Sequence, residues 1–157
     1  MKDSLKLKAG ELVIRFGKML KVVKADKEMV YLKPFFDKGG DRGGLSYSLP
    51  VNKSVMGKLR RVASKEKLDK LWKDIFKKDK EEWQGLNINE ALESNQLEEI
   101  MKVVSMLGKE KVKLGVLPGG KLRIYKEALE QLVAEMAVVK NLSLQKAKLR
   151  VESGLKK

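Results

Sequence analysis

Short hydrophobic runs separated by turn residues fill the first third of the chain. The runs are rich in Val, Ile, Leu and Tyr, and they cover residues 11–15, 18–25, 28–36, 45–50 and 58–63. Gly17, the sequence ADKE and the sequence DKGGDRGG separate them, as turn signals do. Each run has the length of a single strand, so this part of the chain is predicted to form a small antiparallel sheet. Pro34, inside the third run, predicts that part of that strand lies at a sheet edge.

The hydrophobic period becomes helical at Ser64, which is placed to cap a first helix over 64–78. A long amphipathic segment follows at 121–140, and Ser143 is placed to cap a last helix. The sequence therefore predicts the α+β class. A small antiparallel barrel of the Tudor or SH3 type covers residues 1–63, and an all-helical bundle covers residues 64–157.

Two further helices are predicted between these segments from their capping residues. The sequence INEALES is predicted to form a short helix that is capped by Asn87 or Asn89. Asn95, with Glu98 three residues later, has the spacing of a capping box. Gly108 is a residue type that commonly ends a helix, so the helix that begins at Asn95 is predicted to end there.

The chain is strongly basic. It has 157 residues, a formal net charge of +14 and a pI near 9.8, which favours a polyanionic partner such as nucleic acid. A lysine-rich proteome would raise the charge of any protein, and this alternative stays open. The stretch 53–80 holds eleven Lys or Arg and four acids, a local charge of +7. It is either a nucleic-acid surface or a solvated helix, and the composition favours neither.

The missing residue types disfavour an enzyme. The chain has no Cys and no His, so disulfides, thiolate chemistry and histidine bases are excluded. DKGGDRGG lacks the spacing of a phosphate-binding loop and is interpreted as a hairpin loop. No run is long enough to span a membrane. We predict no catalytic residue, metal or cofactor, and expect a cytoplasmic protein.

Trp83 stands in unusual surroundings. Six consecutive charged residues, 77–82, precede it, and a Gln-Gly pair follows. The ring is either a core anchor or a side chain displayed for a partner. Cations beside an aromatic ring are typical of nucleic-acid-binding proteins.

The order of these features resembles the CarD/CdnL family of bacterial transcription regulators over nearly the whole chain. LKAGELVI is similar to the opening strand of that family, and VYLKP followed by LSYSLPVNK is similar to its central strand pair. The firmest similarity is YKEALEQLVAEMAVVKNLSLQKAK at 125–148, which resembles its last two helices. The segment LEEIMKVVSML agrees in character.

The resemblance implies a bacterial regulator whose Tudor-like domain binds the RNA polymerase β subunit and whose helical domain contacts promoter DNA without reading its sequence. It implies that Trp83 is inserted at the minor groove and stabilises the open complex. The residues expected at DNA are Trp83, Lys77, Lys78, Lys80, Lys121 and Arg123. The residues expected at polymerase are Leu45, Ser46, Tyr47, Ser48 and Leu49. We expect a monomer.

The chain also departs from the family pattern. Ser48 stands where some relatives have an arginine that contacts polymerase, and QGLNI follows Trp83 where many have basic residues. Two other functions stay open. One is an RNA- or ribosome-binding protein that uses the stretch 53–80, and the other is a nucleoid-type protein that binds duplex DNA without polymerase.

Overall fold

A computed structural model of the chain describes residues 7–15, 18–36, 46–76 and 87–156. The chain divides between Val62 and Ala63 into two compact units. The first unit contains a five-stranded antiparallel sheet and the second is helical, so the α+β class is confirmed.

The strands of the first unit follow the predicted hydrophobic runs. They are β1 (Leu12–Arg15), β2 (Lys18–Ala25), β3 (Met29–Pro34), β4 (Tyr47–Pro50) and β5 (Leu59–Arg61). Their order across the sheet is β4-β3-β2-β1-β5, and all neighbours are antiparallel. A single helical turn, α1 (Lys53–Met56), was not predicted. The side chain of Asn52 caps it by accepting a 2.9 Å hydrogen bond from the backbone N–H of Val55.

One face of the sheet carries the core of the first unit, because alternate residues of a strand point to the same side. Val22 lies opposite Leu32 in the register of β2 and β3, and both are fully buried. The buried side chains of this core are Val13, Leu20, Val22, Val30, Leu32, Met56 and Leu59. A bulge between Val22 and Lys24 shifts the register, so Lys24 lies opposite Tyr31.

The predicted barrel is not closed. Within the described residues the sheet is open, because β4 and β5 end the strand order and do not pair with each other. Closure requires strands that are long enough to tilt and stagger around an axis, and these two have four and three residues. Pro34 ends the interior strand β3, and β4 pairs only with Met29–Leu32. The proline therefore lies where β3 has β2 as its one described neighbour.

The second unit contains five helices among the described residues: α2 (Lys65–Phe76), α3 (Ile88–Glu93), α4 (Leu97–Leu114), α5 (Gly120–Lys140) and α6 (Leu144–Leu155). Three predicted caps are confirmed. The side chains of Ser64, Asn87 and Ser143 accept hydrogen bonds of 3.0–3.1 Å from the backbone N–H three residues later. None of the described helices has the length and apolar content needed to cross a bilayer.

The predicted ends of α4 are both wrong. Asn95 does not cap the helix: it has a positive φ of 59° and lies between α3 and α4, and Gln96 is the N-cap residue without a side-chain bond. Gly108 does not end the helix, which continues six residues further to Leu114. Gly108 is instead buried inside α4, where a Cβ atom would lie 2.5 Å from Cδ1 of Leu155. The glycine is therefore needed for close packing of α4 against α6.

Helix α4 is the centre of the second unit, since α2, α3, α5 and α6 all contact it. The side chains of Ile100, Met101, Val103, Val104 and Leu107 on α4 are almost fully buried. Trp72 on α2 stacks on Phe76 with ring centroids 4.1 Å apart, and its ring also contacts Gly154 of α6. Aromatic and aliphatic packing therefore joins the first and last helices to the centre.

A buried carboxylate holds the start of the second unit. Glu135 on α5 is 1% exposed, and its Oε2 accepts a 2.8 Å hydrogen bond from the backbone N–H of Ala63. We expect Glu135→Ala to lower the free energy of unfolding by about 2 kcal/mol, because a partly buried N–H group loses its carboxylate acceptor. Glu130→Ala, at an exposed position of the same helix, is the matched control and should change it by less than about 0.5 kcal/mol. Urea denaturation measures both, and equal midpoints for the two variants would contradict the role of Glu135.

Candidate functional site

The structure describes part of the predicted site. Trp83, Lys77, Lys78, Lys80 and Leu45 lie outside the described residues. Ser46 and Tyr47–Leu49 belong to the first unit, and Lys121 and Arg123 belong to the second. The residues expected at polymerase and those expected at DNA therefore lie on different units, and each group can be considered by itself.

Strand β4 forms one edge of the sheet. It pairs with β3 through Met29–Leu32, and its other side has no strand neighbour in the described part of the chain. Ser46 and Ser48 are exposed, Tyr47 is 37% exposed, and Leu49 packs partly against the core. The free side of such a strand offers backbone N–H and C=O groups to an added strand. Strand β4 is therefore an edge strand that Leu49 attaches to the core, and its serine and tyrosine side chains are exposed.

The second candidate site is the turn between α4 and α5, here called the α4–α5 tip and defined as residues 111–123. Helix α4 ends with Gly115 in the left-handed region, at a φ of 85°, and its N–H donates to the carbonyl of Lys111 at 2.7 Å. Gly119, with a φ of 58°, precedes the first residue of α5. Both conformations suit glycine, so the two glycines allow the chain to reverse within a few residues.

Lys121 and Arg123 lie at the start of α5 and have carboxylate neighbours. The Nζ of Lys121 is 3.2 Å from Glu110, and the Nη1 of Arg123 is 3.0 Å from Glu127. The side chains of the two cations are 46% and 73% exposed. Exposed ion pairs of this kind contribute about 0–1 kcal/mol. A phosphate group can therefore replace Glu127 beside Arg123 at little cost, whereas Glu110 beside Lys121 is only 17% exposed.

The helix dipole opposes these two cations. The first turn of a helix has a partial positive charge, and acidic residues are the stabilising ones there. The first turn of α5 has no acidic residue, and Gly119 provides no side-chain cap. Its first backbone N–H groups and the two cations therefore lie at the same helix end. This arrangement is unfavourable for the helix alone and favourable for an anion.

Lys111 and Lys113 add positive charge from the last turn of α4. The Nζ of Lys111 lies 5.6 Å from the centroid of the Tyr125 ring. Burial, with the charge of Glu152 as the smaller cause, raises the pKa of Tyr125 to about 12. The hydroxyl of Tyr125 therefore stays protonated at neutral pH, and Lys111 faces a neutral ring.

Three large apolar side chains are exposed at the α4–α5 tip. Val112 is 50% exposed, Leu114 is 60% exposed and Val116 is 67% exposed. The sequence prediction missed this feature because α4 was expected to end at Gly108. The signal was present in the sequence KVKLGV, in which two apolar residues alternate with lysines before Gly115 and a third apolar residue follows it.

The basic stretch 53–80 is not one structural element. Its first part forms α1 and β5 in the first unit, and α2 belongs to the second. On α2 the exposed lysines are Lys65, Lys67, Lys70 and Lys73, and Lys70 pairs with Asp74 at 3.1 Å. The local charge of +7 is therefore divided between the two units.

No protein-family model matches the chain, and no curated protein is significantly similar to it. The resemblance to CarD/CdnL regulators therefore rests on the sequence features described above.

Proposed function

We propose that the protein is a non-enzymatic transcription regulator that binds the RNA polymerase β subunit and stabilises promoter DNA in its open form. In this proposal the first unit acts as a Tudor-like module that presents β4, and the second acts as a helical bundle that contacts DNA. The observation that carries the proposal is the α4–α5 tip. There Lys121 and Arg123 add positive charge to the N-terminal end of α5, and exposed apolar side chains lie nearby in the same turn. The resemblance to CarD/CdnL regulators supports the assignment of partners.

The chemistry of the α4–α5 tip favours DNA contacts that do not depend on sequence. Three of its four cations are lysines, which act on phosphates as point charges. Base-edge recognition in the major groove uses Arg, Asn or Gln, of which the tip has one arginine. The apolar side chains Val112, Leu114 and Val116 suit the floor of a minor groove or the methylene surface of the sugars. We therefore expect weak, salt-dependent binding with little sequence preference.

The double variant Lys121→Gln/Arg123→Gln should bind duplex DNA about tenfold more weakly near physiological salt. Loss of two phosphate contacts should also reduce the slope of log affinity against log salt by about 1.8. Fluorescence anisotropy with a labelled duplex at several salt concentrations measures both quantities.

Lys148→Gln/Arg150→Gln is the matched control for this measurement. It removes the same charges from exposed positions on α6 of the same unit. We expect its salt slope to equal that of the unchanged protein. An equal loss of affinity in both double variants would show that net charge, and not the α4–α5 tip, determines DNA binding.

The function as a whole is tested by capture of the isolated β-subunit lobe of RNA polymerase on the immobilised protein. We expect Tyr47→Thr to weaken capture about tenfold, because tyrosines at the centre of an interface often contribute more than 1 kcal/mol. Threonine is chosen because it is favourable in strands. Failure of the unchanged protein to capture the lobe would refute polymerase binding.

Tyr31→Thr provides the matched control for Tyr47→Thr. Tyr31 is 36% exposed and Tyr47 is 37% exposed, but Tyr31 lies on the interior strand β3 and Tyr47 on the edge strand β4. Capture should be unchanged in Tyr31→Thr. Register places the two tyrosines on opposite faces of the sheet, so equal losses in the two variants would mean that the effect is not specific to the β4 edge.

A further inference from the structure

The face of the sheet opposite the core buries Ile14 and Met19 where β1 pairs with β2, and across β2, β3 and β4 it carries cations and an aromatic ring. Register places Lys21 opposite Lys33, Lys24 opposite Tyr31, and Tyr31 opposite Ser48. Directly opposed residues share a face, so these five side chains belong to one surface across β2, β3 and β4. We call it the outer face. It is distinct from the β4 edge, which offers backbone groups, and from the α4–α5 tip of the other unit.

The outer face is positively charged beyond what the sheet itself requires. Lys21 and Lys33 are directly opposed like charges, an arrangement that destabilises a strand pair. The described part of the chain offers neither lysine a carboxylate partner within ion-pair distance. Both positions could carry a neutral strand-forming residue without any change to the core. Charge complementarity therefore points to an anion that lies over β2 and β3.

One aromatic residue precedes Lys33 in β3 and another follows just beyond the end of the strand at Pro34. Tyr31 and Lys33 are two residues apart, and Phe35 follows two residues later, with its N–H donating to Met19 of β2 at 3.0 Å. Steps of two residues advance about 7 Å along a strand. Tyr31 is 36% exposed and Phe35 is 42% exposed. Tyr31 is therefore displayed on the same side as Lys33, and Phe35 is exposed just beyond the end of β3.

Each ring has a side-chain neighbour. The Nζ of Lys24 lies 6.0 Å from the centroid of Tyr31, at the outer limit of a cation–π contact. Phe35 packs edge-to-face against Phe36 with centroids 4.9 Å apart. The nearby carboxylate of Asp26 is already used in the β2–β3 turn, where its Oδ1 accepts from the N–H groups of Glu28 and Met29 at 2.9 and 2.7 Å.

We propose that the outer face binds single-stranded nucleic acid, with bases stacked on Tyr31 and Phe35 and phosphates held by Lys21, Lys24 and Lys33. A duplex does not fit this chemistry, because its bases are already stacked and cannot cover the rings. Single strands expose the face of each base, and sheet surfaces with aromatic residues between cations bind them in this way. An acidic protein segment would bind the lysines, but its carboxylates would not stack on the aromatic rings. The proposal does not depend on polymerase binding.

The test is anisotropy with labelled oligonucleotides of about twelve nucleotides, one of RNA and one of DNA. The full chain is used, and excess unlabelled duplex DNA occupies the α4–α5 tip. Tyr31→Thr should weaken binding about tenfold, the scale of one stacked base, while Tyr31→Phe should stay within about twofold. Binding of either oligonucleotide supports the proposal, and the difference between them identifies the preferred sugar.

The cations are tested by Lys21→Gln/Lys33→Gln. Loss of two phosphate contacts on a single strand should reduce the slope of log affinity against log salt by about 1.4. Lys27→Gln/Lys53→Gln removes the same charge from exposed positions of the same unit, outside the outer face, and should leave the slope unchanged. Tyr47→Thr should also retain oligonucleotide binding, which separates this site from the β4 edge.

Three results would overturn the proposal. The first is oligonucleotide affinity in Tyr31→Thr equal to that of Tyr31→Phe. The second is an equal salt slope in the two double-lysine variants. The third is displacement of the oligonucleotide by polyglutamate at the charge concentration at which an unlabelled oligonucleotide displaces it, which would show a surface for acidic chains in general.

Discussion

Gly108→Val is expected to lower the free energy of unfolding by about 3 kcal/mol. A Cβ atom at position 108 would lie 2.5 Å from Cδ1, 2.8 Å from Cδ2 and 3.2 Å from Cγ of Leu155. Leu155 is itself buried, 4% exposed, so its side chain cannot move into solvent without losing its own burial. Overpacking of this kind costs about 1–3 kcal/mol, and the branched valine places a second set of atoms in the same space.

The midpoint of thermal unfolding measures this effect. For a unit of this size a loss of 1 kcal/mol lowers the midpoint by roughly 4–8 °C, so Gly108→Val should lower it by about 12 °C or more. Gly120→Val is the matched control, because the first residue of α5 has no atom within 4 Å of an added Cβ. We expect that variant to stay within about 0.5 kcal/mol. If the two variants unfold at the same temperature, α6 does not pack against Gly108 in solution.

Trp83→Ala is expected to shorten the lifetime of the promoter open complex about tenfold or more. The expectation follows from the proposed function, since Trp83 lies outside the described residues. A wedge at an unstacked base step offsets a few kcal/mol of unstacking, and stacking on one aromatic ring contributes about 1–3 kcal/mol. The loss appears only when DNA is open. A heparin challenge of preformed complexes measures the lifetime.

The stability of the same variant separates the wedge from a core anchor. An exposed ring can be removed for less than about 0.5 kcal/mol, whereas truncation of a buried tryptophan costs about 3–5 kcal/mol. In the described helices Trp72 stacks on Phe76 and packs against Gly154. The second unit therefore already has one tryptophan in its packing. A sharply lowered unfolding temperature with a normal open-complex lifetime would make Trp83 a core residue.

The sequence predicted helix starts well where one polar side chain could reach one backbone group. Ser64, Asn87 and Ser143 each precede a hydrophobic stripe, and each caps the helix that follows. Asn95 had the same local pattern, but the turn between α3 and α4 requires a residue with positive φ, and Asn tolerates that conformation. The conformation of the turn between α3 and α4 therefore determines what Asn95 does, and the local capping pattern does not.

The end of α4 shows why packing cannot be inferred from one segment. A glycine after a hydrophobic run indicates a helix end, and Gly108 and Gly115 both satisfy that rule. Their difference lies in Leu155, which is 47 residues further along the chain and packs on Gly108. Sequence reasoning found Lys121 and Arg123 through the family resemblance, whereas the rest of the α4–α5 tip depended on the length of α4.

The strands were predicted almost completely, but the predicted closure of the sheet into a barrel was wrong. Alternating Val, Leu and Ile residues specify where a strand lies, because the period of two decides which side is buried. They do not specify which edge strands meet. The basic stretch 53–80 was misleading for the same reason, since adjacent positions in sequence belong to α1, β5 and α2 in two different units.

The strand order also sets the order in which the sheet exchanges its amide hydrogens. Strands β1, β2 and β3 each have two neighbours, whereas β4 is held by β3 alone. Local opening releases the least supported segments first, so β4 amides are expected to exchange with deuterium well before those of β2. A partner that adds a strand to β4 would convert it from the most labile strand of that half of the sheet into an interior one. Binding would then be visible as slowed deuterium uptake by the β4 amides, and the slowing would be larger than the area of surface covered by the partner suggests.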